Sequence, residues 1–343
     1  MLLSFFSGIS LKVYKMVVVS KLMIIDLRQD PQYGTLVSIV QEFQEAIGRR
    51  SRVTPSQVRA TNGATGGLST IFNVILRDSY SKGKKPTAVV AIPEYFDALR
   101  MLELCGFDLH KVEGPVARYP TPEVMESLKN VVPSVFYLSL PNNPSGQLLP
   151  AGQLGLLLDA ASPETTIVID QTLVHPYKYS TVTDIQHNHQ SKNIVIVNSF
   201  SKSHGLVAER VGYIIMMQPA IAQQIHPYAQ VPGISALIKA IDFIDNRTMP
   251  QEVIEKESRS NGLLEQWSKG RKNLRYYHSL SGFSLIELHS MSSERCRESL
   301  DSRGYLVRSG PQLYLPDRFI RIDMSQPEHL PRFLETLDSI VAR

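Results

Sequence analysis

From about residue 87 the chain alternates short, almost continuously apolar runs rich in β-branched residues with stretches of helical spacing. Runs at 88–92, 109–112, 135–140, 166–169 and 193–197 predict strands, and 68–76, 94–104, 122–129 and 154–161 predict helices. A strand apolar on both faces is buried on both, which calls for a parallel sheet with helices on either side. Sheets of this kind bind ligands beyond the carboxyl ends of their strands. After Tyr213 the rhythm fades into a helical, charge-rich stretch at 218–272, then a shorter mixed segment that ends in a helix at 328–341. Residues 37–47 also have helical spacing but precede the alternating region. The expected architecture is α/β: a large doubly wound unit over 49–225, and a smaller α+β unit built from 1–48 and 226–343 with an N-terminal arm.

Composition narrows the class. With 343 residues, 43% hydrophobic and 20% charged, the chain is long enough for one large and one small unit with a sizeable core. The net charge of +4 is small and its basic residues are scattered, so nothing argues for a nucleic-acid surface and no nucleic-acid partner is expected, while an anionic small molecule stays open. Lys12, Lys15 and Lys21 interrupt the apolar stretch at 1–27, whereas a membrane span needs about 20 apolar residues in a row. No basic segment precedes residues 2–6 as a secretory signal would require, so the expected location is cytoplasmic, with the arm packed on the body or on a partner subunit. Cys105 and Cys296 lie far apart and outside any metal-ligand spacing; they read as structural thiols in a reducing compartment, and no metal is expected.

Chemistry concentrates in the string Ser199-Phe200-Ser201-Lys202-Ser203-His204-Gly205-Leu206-Val207-Ala208-Glu209-Arg210-Val211-Gly212, directly after the strand at 193–197. A lysine forms a Schiff base well only when its pKa is lowered, which nearby positive charge and partial desolvation achieve. Arg210 offers such a charge, while the Ser199 and Ser201 hydroxyls and the Arg210 fork can donate to a phosphate. In this string the chain resembles the class I and II aminotransferases, the aspartate aminotransferase fold of pyridoxal-phosphate enzymes, and it matches their attachment motif at every defined position.

The resemblance implies pyridoxal 5'-phosphate bound to Lys202 and assigns further residues in order along the chain. Gly63, Ala64 and Thr65, in the run Gly63-Ala64-Thr65-Gly66-Gly67 ahead of the predicted helix at 68–76, would cradle the phosphate with backbone N–H groups. Tyr95, in Pro93-Glu94-Tyr95, would stack on the ring, although a core aromatic reads the same way. Asn143, in Asn142-Asn143-Pro144-Ser145-Gly146, would donate to the cofactor's phenolic oxygen, and Asp170 would pair with the ring nitrogen. Taken alone, the first is also a plain turn and the second a turn or cap aspartate. Arg321, in Phe319-Ile320-Arg321-Ile322, is the implied clamp for a substrate carboxylate, or for a phosphate in the histidinol-phosphate branch. Arg308 would assist, or is a surface charge, and Tyr33 would reach the phosphate of a neighbouring subunit. The resemblance also implies a homodimer.

Leu173 stands where the family usually has a tyrosine that donates to the same phenolic oxygen as the asparagine. Tyr177 and His175 are nearby substitutes in sequence. The expected activity is amino-group transfer from an amino acid or related primary amine. The Leu173 departure keeps elimination with cyclisation, oxidation or decarboxylation open, and a noncatalytic cofactor-binding module is a third alternative.

Overall fold

A computed structural model describes residues 31–150, 152–173, 185, 189, 191–225, 230–244 and 248–341, the side chains of 31–33 and 248–250 excepted. The expected arm at the start of the chain lies outside the described residues. Helix α1 (Pro31–Ser51) leads into strand β1 (Val58–Asn62), then α2 (Gly63–Ser81), β2 (Thr87–Ile92), α3 (Phe96–Leu104) and β3 (Asp108–Glu113). Next come α4 (Thr121–Val131), β4 (Val135–Ser139), α5 (Gln153–Ala160), β5 (Thr166–Asp170), β6 (Ile194–Ser199), the short α6 (Phe200–Ser203) and β7 (Val211–Met216). These strands form a seven-stranded sheet in the order β1-β7-β6-β5-β4-β2-β3, mainly parallel, with β7 antiparallel to both its neighbours.

Successive residues of the central strands enter two different cores, which is why these strands lack polar alternation. In β4, Phe136 and Leu138 pack on one face while Val135 and Tyr137 pack on the other; in β6, Ile194 and Ile196 oppose Val195 and Val197. Each such side chain, removed from water, contributes about 1.5–3 kcal/mol, which anchors the sheet's centre. β3 is instead an edge strand with no buried residue, exposed at Asp108, Lys111 and Glu113.

Beyond β7 lie α7 (Pro219–Ile225), α8 (Ile234–Ile244) and α9 (Thr248–Ser268), then a four-stranded antiparallel sheet ordered β10-β11-β9-β8. Its strands are β8 (Leu274–Tyr277), β9 (Phe283–Leu288), β10 (Arg308–Ser309) and β11 (Phe319–Asp323), with α10 (Ser293–Asp301) after β9 and α11 (Leu330–Val341) at the end. Leu264 of α9, Cys296 and Leu300 of α10 and Leu334 and Leu337 of α11 fill the core of this smaller layer. Burial pushes the Cys296 thiol up to about 12, which suits an inert structural role.

One packing differs from expectation. Phe43, Ala46 and Ile47 of α1 and Ala236, Leu237, Ala240 and Ile244 of α8 share a core with the large sheet rather than with the small one. Helical spacing reveals that these segments have an apolar face but not which layer receives it. No helix among the described residues is long and apolar enough to cross a membrane.

Candidate active site

β1, β2, β4, β5 and β6 run in one direction, so the segments that follow them gather along a single sheet edge. Register brings Ser139, the last residue of β4, opposite Asp170, the last of β5, and Ser199 at the end of β6 opposite Gly212. A cavity of about 240 Å³ opens there, between this edge and Phe283 and Arg321 of the small sheet.

At one end of the cavity lies α2. The glycine run expected to precede a helix at 68–76 is the helix's own first turn, because α2 begins at Gly63. Ala64 and Thr65 of that turn, where backbone N–H groups have no partner within the helix and the dipole end is positive, line the cavity. Beside them, Ser199 caps α6 by accepting from Ser201 N at 2.9 Å, and Ser201 Oγ accepts from Arg210 Nη1 at 3.1 Å. A Cβ on Gly63 would stand 2.6 Å from Arg210 Nη2, and one on Gly212 would stand 2.6 Å from the Gly63 carbonyl carbon. At Gly212 backbone excludes any side chain; at Gly63, whose φ is +66°, one would strain the backbone and push the Arg210 guanidinium aside, so both glycines let the guanidinium and helix start crowd together.

The middle of the cavity is built differently. Asp170, buried, accepts from Tyr137 Oη at 3.0 Å and from Thr172 N at 2.8 Å. Burial raises its pKa, and hydrogen bonds from Thr172 and Tyr137 pull the other way by favouring the carboxylate. Half-buried Tyr95 presents its ring to the cavity and donates its hydroxyl to Asp97 Oδ2 at 3.0 Å. Asn143 donates its N–H to Ser139 Oγ at 2.8 Å, and its Oδ1 accepts from Arg321 Nη1 at 3.0 Å.

Lys202 Nζ lies 4.9 Å from the Phe283 ring centroid, and Arg321 Cζ lies 4.2 Å from it. The lysine's surface opens on the cavity, yet the protein around its amine displaces enough water to lower its pKa. Burial is the first cause; among the cations that add to it Arg321 precedes Arg210, whereas Asp323 opposes. The sequence had pointed to Arg210. The Arg321 guanidinium is drawn down to about 10, by burial first and by Arg308 second.

Ten of the expected site residues thus line one cavity: Ala64, Thr65, Tyr95, Asn143, Asp170, Ser199, Ser201, Lys202, Arg210 and Arg321. Gly63 stands behind the wall against Arg210, and exposed Arg308 sits outside it, 5.6 Å over the Phe96 ring. Sequence reasoning missed Phe96, Asp97, Ser139, Thr172 and Phe283 in the wall, along with Tyr137 behind Asp170. Leu173 lines the cavity as well. The Tyr33 side chain, His175 and Tyr177 lie outside the described residues.

These groups fit pyridoxal 5'-phosphate. Backbone N–H groups, two hydroxyls and a guanidinium offer donors for a phosphate; a buried carboxylate already held by two donors suits a protonated ring nitrogen; an aromatic ring and an amine of lowered pKa complete the set. Fold and cavity together define a pyridoxal-phosphate enzyme of the aspartate aminotransferase architecture. The family model "Aminotransferase class I and II" matches residues 26–337, and the chain belongs to that family.

Among relatives, the chain is 25% identical to histidinol-phosphate aminotransferase of Lysinibacillus sphaericus over 308 residues, 88% of this chain and 80% of that one. The crystal structure of the histidinol-phosphate aminotransferase from Clostridium acetobutylicum superposes with a TM-score of 0.76 at 19% identity, covering 88% of this chain and 89% of the other. L-threonine-O-3-phosphate decarboxylase from Porphyromonas gingivalis does so with a TM-score of 0.70 at 20% identity, covering 89% of each chain. At these identities the structural likeness is one of fold.

Proposed function

We propose that this protein transfers the amino group of an amino acid or related primary amine, using pyridoxal 5'-phosphate carried on Lys202. When bound, the cofactor supplies an electron sink for charge that develops on the substrate's α-carbon. Once the substrate amine has taken its place on the cofactor, Lys202 Nζ would take the proton from that carbon, and burial, which lowers the amine's pKa, favours the neutral form that does so. Asp170, whose carboxylate form the Tyr137 hydroxyl and the Thr172 N–H favour against burial, would pair with the ring nitrogen and keep it protonated. Tyr95 stacks on the ring, and Asn143 donates from its side-chain amide to the phenolic oxygen while its carbonyl oxygen takes the Arg321 hydrogen bond. Ala64, Thr65, Ser199, Ser201 and Arg210 hold the phosphate, with Gly63 giving Arg210 room.

Arg321 clamps the substrate's anionic group and fixes the α-carbon bond for cleavage, with Arg308 at the rim as second cation. Both a carboxylate and a phosphate suit this pair; likeness to histidinol-phosphate aminotransferases favours a substrate that carries phosphate.

The observation that carries this function is the meeting of Lys202, Asp170 and Arg321 in one cavity. Lys202→Ala is expected to abolish turnover, and retained turnover would sink the assignment. Adding single amino acids to the cofactor-loaded protein without a keto acid should convert its absorbance to that of the aminated cofactor and so name the donor.

Leu173 favours a second activity, elimination with cyclisation, oxidation or decarboxylation, since the wall offers an alkyl group where relatives have a phenol donor. Formation of keto acid matching the amine consumed would count against it.

We further propose a homodimer in the cytoplasm. Val37, Val207 and Ile238 are exposed apolar side chains on α1, beside the cavity and on α8, and a second subunit would cover them. Two free cysteines suit a reducing compartment. The small unit, on the packing above, comprises 248–341. Light scattering that finds only monomer would contradict the dimer.

A further inference from the structure

Glu94 has no solvent-accessible surface, yet it lies one residue before Tyr95, two residues beyond the end of β2. A carboxyl is rarely taken out of water without partners, and this one is held from two sides. It accepts from Tyr95 N at 2.7 Å and from Ser139 N at 3.0 Å, and it shares a further hydrogen bond with Ser139 Oγ. Ser139 Oγ in turn accepts from Asn143 N at 2.8 Å, and Asn142 Nδ2 reaches back to Pro93 O at 3.0 Å. The loop that carries Tyr95 and the loop that carries Asn143 are thereby joined through one carboxyl and one hydroxyl. Resting on the pyridoxal-phosphate function above, we propose that Glu94 is a positioning residue: through Ser139 it fixes Asn143 and the backbone of Tyr95 on either side of the cofactor ring.

The carboxyl's charge state is part of that role. Its neighbours on every side are acids or phenols: Asp170 of β5, Tyr95 on its own loop, Tyr119 ahead of α4 and Tyr137 of β4. Burial first, with Asp170 adding, raises its pKa to about 8. Below that pH the carboxyl carries a proton and donates it to Ser139 Oγ, which frees the serine O–H to point into the cavity it lines. Above that pH the serine O–H turns back to the carboxylate. Asn143 N remains bonded to the same oxygen throughout. Glutamine cannot undergo this change, so the pH response distinguishes positioning by Glu94 from mere filling of space.

The test titrates pyridoxal 5'-phosphate affinity, by absorbance, against pH for the parent, Glu94→Gln and Ser139→Ala, with infrared spectra of the cofactor-free proteins alongside. The parent should show a step in affinity near pH 8 and an infrared carboxylic-acid band at neutral pH. Glu94→Gln should lose both, Ser139→Ala should lose the affinity step, and each should bind the cofactor about tenfold more weakly. Variants that keep the parent's affinity and step while folded would overturn the role of Glu94 alone. A parent that takes up no cofactor would overturn the proposed function, and this role with it. Should Glu94→Gln not fold, Ser139→Ala, which removes only the linking hydroxyl, decides the matter.

Discussion

The Tyr137 hydroxyl donates to Asp170 Oδ2 at 3.0 Å, joining two adjacent strands behind the cavity where both side chains are buried. A hydrogen bond to the ionised carboxyl favours its charge, against the burial that opposes it. Tyr137→Phe keeps the ring that packs against Phe72 and deletes only the donor. The expected result is a loss of about 1–3 kcal/mol in stability, and cofactor affinity weakened about tenfold because Asp170 pairs less well with the ring nitrogen. Thermal melts and cofactor titration check both parts.

Lys202 gives a pH dependence of defined sign. Its pKa is lowered by burial, so the neutral amine that must attack the cofactor becomes abundant below the usual lysine value of about 10.4. The rate of cofactor uptake by the cofactor-free protein should therefore rise with pH and reach its plateau earlier than for free lysine. Stability follows the same direction. The folded chain holds fewer protons here than the unfolded one, so the destabilisation is full below the folded pKa and is relieved as pH climbs towards the unfolded value. Stopped-flow uptake across pH reads the first effect, and uptake that plateaus only where free lysine does would contradict it.

The large sheet was readable because β2, β4, β5 and β6 are apolar on both faces, a pattern few other structures produce. β1 was not, since Val-Arg-Ala-Thr-Asn is short and half polar, and β7 was hidden because it begins within the lysine string. The site residues could be placed in order by motif, but their mutual distances come only from register along the sheet edge. Glu94 shows where sequence reasoning ends: a lone glutamate before a tyrosine reads as a surface charge until the fold encloses it. For the same reason Tyr137 passed as core, although its hydroxyl serves Asp170.

Gly146 closes the asparagine turn against the small sheet. Its φ is +67°, and a Cβ there would stand 1.7 Å from Ser279 Oγ. Gly146→Ala combines this clash with a left-handed backbone and is expected to cost about 2–4 kcal/mol. It should also displace Asn143, three residues earlier, and so weaken substrate and cofactor binding together. Adding Ser279→Gly relieves the closest contacts but leaves the residue-279 Cα at 3.1 Å and the backbone strain, so the double variant should recover part of the stability, measured relative to Ser279→Gly alone. Because Ser279 Oγ also accepts from Ser281 N, the Ser279→Gly single variant is the reference, and a Gly146→Ala cost unchanged in that background would place it in the backbone.

Arg321 and Arg308 face each other across β10 and β11, yet their surroundings differ enough to separate their roles. Arg321 is enclosed by Phe283 and bonded to Asn143 Oδ1, and its lowered pKa of about 10 still leaves it charged at neutral pH. A clamp formed there works with little competing water, and truncating one partner of such a pair costs about 2–5 kcal/mol. Arg321→Ala should lower kcat/KM by about a hundredfold or more, and Arg321→Lys should restore little because an ammonium cannot reproduce a two-pronged contact. Arg308 is exposed, where a single charge is worth about 1 kcal/mol or less, so Arg308→Ala should raise KM only a few-fold. Steady-state kinetics at two salt concentrations tests the contrast: the Arg308 effect should fade as salt screens it, while the Arg321 effect persists. Equal losses in the two variants would mean that the anion lies between the arginines at the rim rather than inside the cavity.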